Sequence, residues 1–294
     1  MLKRVGLFLL TNLLVIVTVG IIMNIVMPML GIQVQGGWMG LAVFCGVFGM
    51  TGAFISLAIS RWMAKRAYNI RLIGPNEQNF ELREIHAMVA KLSRQAGLPE
   101  VPEVGIYESA DPNAFATGPS KSKALVAFST GLLRSMKKNE VEAVAGHEIA
   151  HIANGDMVTM TLLTGVINAL VMFLSRMIAH AINNALRGDE GEGGLGFFAY
   201  IMVVMFLDTF FMILASIPIA AFSRYREYRA DAGAAKLTSP SAMADALIAL
   251  SKAAGIETKK DSYAIAKISS NRRTSLWATH PSIESRVERL RRMV

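Results

Sequence analysis

Apolar and polar positions alternate between two regimes along this chain. Four stretches, roughly 5–27, 38–60, 157–178 and 195–222, are almost wholly apolar. Each is long enough to cross the hydrocarbon core of a bilayer as a helix. The first begins after Lys3 and Arg4, but its apolar part is long and no small-residue cleavage pattern follows, so it reads as an uncleaved span. Elsewhere the pattern is that of a soluble domain. Residues 75–96 place Phe80, Leu82, Ile85, Met88, Val89 and Leu92 at helical spacing. "VPEVGIYES" and "ALVAFST" predict strands bounded by turn residues. Between them "DPNAFATGPS", flanked by Pro and Gly, suits an irregular or edge strand. Asn139 with Glu142 three residues on predicts a capped helix running through Val144, His147 and His151 to a stop at Asn154 and Gly155. "SRYREYRADAGAAKL" and "PSAMADALIALSKAAG" predict two more helices, and "IESRVERLRRM" a basic amphipathic terminal one.

Charge adds an orientation. Lys3 and Arg4 precede the first span, and Arg61, Lys65, Arg66 and Arg71 follow the second. The loop 28–37 carries no Lys or Arg, and the loop after the third span offsets Arg187 with Asp189, Glu190 and Glu192. Arg224, Arg226 and Arg229 follow the fourth span. The excess of basic residues on cytoplasmic loops then places both termini and residues 61–156 inside. The expected organisation is 1–60, transmembrane helices one and two; 61–156, first part of a cytoplasmic domain; 157–222, a transmembrane hairpin; and 223–294, the second part of that domain. The fold class expected is an α+β membrane protein, with four transmembrane helices and a mainly helical cytoplasmic domain carrying a small β-sheet.

Composition narrows the chemistry. Apolar residues make up 53% of the chain and charged residues 18%, which excludes an ordinary soluble domain. The net charge of +8 comes without a nucleic-acid motif or an interleaved basic and aromatic patch, so no nucleic-acid partner is expected. The single Cys45 excludes a disulfide framework and a cysteine-based metal site, and it sits in an apolar run as an inert buried thiol. Asp208 lies in the middle of the fourth span and is expected to face a bundle interior or mark a polar break. Arg176 and His180, near the end of the third span, are expected to reach toward the interface. His86 reads as a surface or packing histidine.

The chemistry-bearing stretch is "GHEIAHIANGD", residues 146–156. Residues four apart on a helix share a face, so His147 and His151 can present two imidazoles to one zinc ion, with Glu148 leaning over it as a base. A third histidine six residues after His151 would extend the pattern, but Met157 stands there. The remaining option is an acid on a later helix, the gluzincin arrangement. Glu227 in "SRYREYRAD" suits it, with Asp231 four residues on as a carboxylate for the far nitrogen of a ligating histidine. The alternative for Glu227 is an exposed acid paired with Arg224 or Arg226. Two crossings separate His151 from Glu227, so both lie on the same side of the membrane.

Together "HEIAHIANGDM", "REYRADA", "NAFATG" and "THPSIESR" resemble the HtpX heat-shock membrane metalloproteases, relatives of the CAAX prenyl-protease group. The resemblance covers essentially the whole chain. It implies one zinc ion per chain held by His147, His151 and Glu227, with Glu148 as general base and Asp231 behind the ligands. It also implies that His280 and Arg286 lie near the substrate, and that Asn113, Ala114, Phe115 and Ala116 form an edge strand that pairs with an extended peptide. An alternative for His280 is a cap on the terminal helix ahead of Pro281. The function implied is endopeptidase cleavage of misfolded or damaged membrane proteins at the cytoplasmic face of the bacterial inner membrane. Polypeptide substrates and the lipid bilayer are the expected partners; oligomeric state stays open. Two other readings are a CAAX-type prenyl protease and a non-catalytic zinc transporter or sensor.

Overall fold

A computed structural model describes residues 2–29, 36–187, 193–253 and 277–293. Asp189, Glu190, Glu192, residues 30–35 of the first connecting loop and the side chains of Lys3 and Arg4 lie outside the described residues. The chain forms two compact units, one of Met1–Ser56 with Met160–Ile219, the other of Leu57–Thr159 with Ala220–Val294.

The first unit is helical. Helix α1 runs Leu2–Ile21 and continues through a π-helical turn, Ile22–Val26, to Met27–Met29. Helix α2, Trp38–Tyr68, leaves this unit at its C-terminal end. Four helical segments, Leu10–Met29, Trp38–Tyr68, Asp156–Ala185 and Phe197–Leu237, are long and apolar enough to cross a membrane. Cys45 is buried at 1% exposure, as its apolar surroundings predicted.

The second unit is built on a four-stranded sheet of order β1-β2-β4-β3. The strands are β1 (Arg71–Ile73), β2 (Glu103–Tyr107), β3 (Ala114–Thr117) and β4 (Leu125–Ser129). β2 and β4 pair in parallel, with Val104 opposite Val126, while β1 and β3 run antiparallel to their neighbours. Every residue of β4 is buried, which explains its unbroken apolar run. β3 is an edge strand, as its flanking Pro and Gly predicted. The three-residue strand β1 was not legible in the sequence, being too short to show a period.

Helix α3 (Phe80–Gln95) packs Met88, Val89 and Leu92 into the core, under a cap in which the Asn79 side chain accepts from the Leu82 N–H. The short helix α4 (Thr130–Ser135) follows β4 directly, with Leu132 at 0% exposure. Helix α5 (Lys138–Asn154) buries Ile149 and Ile152 completely, and burial of each such side chain contributes about 1.5–3 kcal/mol. Its start differs from the expectation at Asn139. Lys137 is the N-cap, and the Glu140 carboxylate reaches back to accept from its N–H at 2.7 Å. Glu142 instead pairs with Lys91 at 3.0 Å.

Helix α6 spans Asp156–Ala185, and α7 spans Phe197–Leu237 in one continuous run. The apolar pattern predicts an end of the fourth span at 222 and a separate helix after it. No glycine interrupts the helix there, and Pro218, which removes one backbone donor, is accommodated inside it. Helix α8 (Pro240–Ala253) contributes Met243 and Leu247 to the core, and α9 (Ile283–Arg291) contributes Val287 and Leu290.

Candidate metal centre

Two helices build the centre, and small residues let them meet. A Cβ on Gly233 of α7 would stand 2.6 Å from the Ala150 Cβ of α5, closer than non-bonded carbons pack. Ala230 and Ala234 flank that contact at 0% exposure. The close approach carries Glu227 and Asp231, on one face of α7, to His147 and His151, on one face of α5.

The resulting geometry is specific. The Nε2 atoms of His147 and His151 lie 3.1 Å apart. Glu227 places Oε2 3.6 Å from the first and Oε1 3.4 Å from the second. Donor atoms on a tetrahedron of zinc–ligand bonds about 2.0–2.1 Å long would be spaced by about 3.3 Å. All three residues are buried, and among the described residues they form the one group of three with metal-ligand spacing. The donor set and its spacing therefore fit a divalent cation.

The outward faces of both imidazoles are held by carboxylates. Asp231 Oδ1 lies 3.0 Å from His147 Nδ1, and Asp156 Oδ2 lies 2.7 Å from His151 Nδ1. The Asp156 contact is a hydrogen bond, which fixes the tautomer that leaves His151 Nε2 free to ligate, whereas Asp231 meets His147 Nδ1 as an ion-pair contact without hydrogen-bond geometry. Burial disfavours the imidazolium at both residues. The carboxylates of Asp231 and Glu227 outweigh it and push His147 up to about 9. Those of Asp156 and Glu227 likewise raise His151 above its ordinary value. The same carboxylates that attract a proton there attract a cation.

Asp156 had no role assigned from sequence. Gly155 ends α5 in the left-handed region at φ 71°, which breaks the helix and lets the first residue of α6 meet His151. The spacing of five residues from His151 is not a helical one, so only the turn brings the two together. Asp156 is 1% exposed. The variant Asp156→Ala is expected to weaken divalent-metal binding by roughly 10–100-fold. Competition against a chromophoric chelator measures it, and an unchanged affinity would remove Asp156 from the site.

The remaining expected residues fall around this core. Glu148 is half-buried beside His147 on α5. Arg226 Nη2 stands 3.8 Å from Glu227, whereas Arg224 donates to the Ala278 carbonyl at 2.6 Å, so Glu227 faces the histidines rather than a surface arginine. His280 Nδ1 lies 3.2 Å from Glu227 Oε2, with its side chain 64% exposed. It does not cap α9: Ser282 is the N-cap, its side chain accepting from the Ser285 N–H. Arg286, expected beside the substrate, is buried. Its Nε and Nη2 donate to the two oxygens of Asp231 at 2.8 and 2.6 Å, and its Nη1 lies 3.5 Å from Glu227. Burial lowers a guanidinium, but Asp231 and Glu227 hold Arg286 above its ordinary value. Ala114 and Ala116 of β3 pack toward the core, and Phe115 points to the other sheet face, against Tyr68 and Tyr107 at 5.3 and 5.7 Å between ring centres.

Comparison with known proteins agrees with this geometry. The model of peptidase family M48 matches residues 79–294. A protein named Protease HtpX from Idiomarina loihiensis is 48% identical over 291 residues, covering 98% of each chain. A Protease HtpX homolog from Bacillus licheniformis is 44% identical over 297 residues, again covering 98% of each. Among solved structures, that of S. mikatae Ste24p superposes with a TM-score of 0.61 at 19% identity, covering 99% of this chain and 66% of the other. At that identity the likeness concerns the fold alone.

Proposed function

The chain belongs to peptidase family M48 and is a membrane metalloendopeptidase, and from that premise we propose that it is a zinc enzyme cleaving misfolded or damaged membrane proteins at the cytoplasmic surface of the inner membrane. The observation that carries the reading is the buried group of His147, His151 and Glu227, with ligand atoms 3.1–3.6 Å apart. These residues would hold one zinc ion, whose chemistry is to polarise a water and the scissile carbonyl.

This chain's own residues do the rest. Glu148 accepts the proton of the attacking water and passes it to the leaving amine. Asp231 and Asp156 keep both imidazoles oriented. Arg286 secures Asp231 from behind, while the exposed His280 faces the substrate and supports the developing oxyanion. The edge position of β3 supports pairing of Asn113, Ala114, Phe115 and Ala116 with an extended peptide, which favours unfolded segments.

We place both termini and the catalytic parts, 61–156 and 223–294, in the cytoplasm, with 1–60 and 157–222 as the membrane parts. The distribution of Lys and Arg supports that orientation. Neither alternative is favoured. Full-length relatives are named as proteases, which speaks against a transporter, and the chain spans 66% of the Ste24p chain.

The purified chain in proteoliposomes with an unfolded membrane-protein substrate tests the reading. Chelation is expected to stop cleavage, and zinc to restore it. Half-restoration should need less zinc at pH 8 than at pH 6, because a proton held by His147 up to about pH 9 must leave first. Cleavage that survives chelation would refute the metal mechanism. Cleavage confined to a prenylated peptide would favour the CAAX-type reading.

A further inference from the structure

The helical unit of Met1–Ser56 and Met160–Ile219 contains a polar feature unrelated to the metal centre. Arg176 of α6 and Asp208 of α7 line a cavity of about 630 Å³ together with Trp38, His180 and Tyr200. These residues come from the start of α2, the late part of α6 and the early part of α7, so the cavity lies at one end of these helices. Ionisable groups at membrane depth are costly and mark places where something polar is handled.

The two charges satisfy each other only in part. Arg176 Nη1 is 3.7 Å from Asp208 Oδ2, too far for a hydrogen bond. That nitrogen donates instead to the Met172 carbonyl of its own helix at 3.0 Å. Asp208 Oδ1 is buried without a hydrogen-bond partner among the described residues. Asp208 nevertheless lines the cavity with a side chain 33% exposed and offers an anionic acceptor there, and the further N–H groups of the guanidinium call for an anion. One ligand carrying both an anion and an ammonium a few ångströms apart would satisfy both.

The walls extend the description of that ligand. Ile201 and Met205 line the cavity and are 37% and 59% exposed on the apolar surface of α7, a path for hydrocarbon chains. Trp38, edge-on to His180 at 5.3 Å between ring centres, and Tyr200 are the amphipathic aromatics found at headgroup depth. We propose that this cavity binds a phospholipid with a phosphoethanolamine headgroup, its phosphate on Arg176, its primary ammonium on Asp208 and its acyl chains along Ile201 and Met205. A phosphatidylglycerol offers Asp208 only neutral hydroxyl donors, without the charge of an ammonium. A phosphatidylcholine has no N–H to offer it.

Native mass spectrometry of the full chain in detergent, titrated with phosphatidylethanolamine, phosphatidylglycerol or phosphatidylcholine, tests the site. The wild type should hold phosphatidylethanolamine at least about tenfold more tightly than the other two. Asp208→Asn should erase that preference, and Arg176→Gln should weaken all three lipids. Val204→Trp, which fills the cavity without removing either charge, should prevent retention of any of them and keeps the test open if a charge variant does not fold. Equal retention of the three lipids by the wild type, or displacement of phosphatidylethanolamine by equimolar soluble phosphoethanolamine, would overturn the proposal. So would an undiminished preference in Val204→Trp.

Discussion

Glu148→Gln is expected to lower peptide hydrolysis by roughly 10²–10⁴-fold while a full equivalent of zinc stays bound. The substitution keeps the shape of the side chain and removes its ability to take a proton. The group with ligand spacing is His147, His151 and Glu227, so Glu148 is not needed to hold the ion. His147 and His151 keep their carboxylate partners Asp231 and Asp156 in the variant, and the site should remain assembled. Activity should therefore fall through kcat rather than through loss of metal. The measurement pairs single-turnover cleavage with zinc analysis on the same preparation. Hydrolysis that persists at the wild-type rate in zinc-loaded Glu148→Gln would sink its role as base.

Glu227→Ala is expected to have the other large effect, loss of both zinc and activity. Glu227 is the meeting point of the centre. Its oxygens lie 3.4–3.6 Å from both Nε2 atoms, 3.2 Å from His280 and 3.5 Å from Arg286. Removing it deletes one donor of three and leaves basic groups facing one another in a buried site. Breaking a buried ion pair from one side typically costs about 3–5 kcal/mol, so a lower melting temperature should accompany the loss. Glu227→Gln separates the two effects, since it preserves the volume and one carbonyl acceptor. Zinc remaining at one equivalent in Glu227→Ala after passage over a chelating resin would remove Glu227 from the ligand set.

The residues of this centre differ in how readable they were. His147, Glu148 and His151 lie within one helical turn, where spacing alone implies geometry. Glu227 and Asp231 were readable as a pair four apart on a helix, and the count of crossings put them on the same side as the histidines they meet. Asp156 was invisible because its approach to His151 depends on the left-handed turn at Gly155. Arg286 was named from a resemblance, but its burial against Asp231 could not be read from "THPSIESR". Arg176 and Asp208 could be seen as unusual singly; their shared cavity could not.

The sequence by itself determined the four apolar segments, the edge strand and the His-Glu-x-x-His face, since each rests on the composition or period of a short stretch. The tertiary structure alone decided what depends on how distant stretches approach. The glycine and alanine contact between α5 and α7 brings Glu227 to the two histidines, and the uninterrupted run of α7 joins the fourth apolar segment to the ligand helix. Local period records which face of an element is apolar. It does not record how closely that face can pack against another, which depends on the absence of a Cβ at Gly233 opposite Ala150.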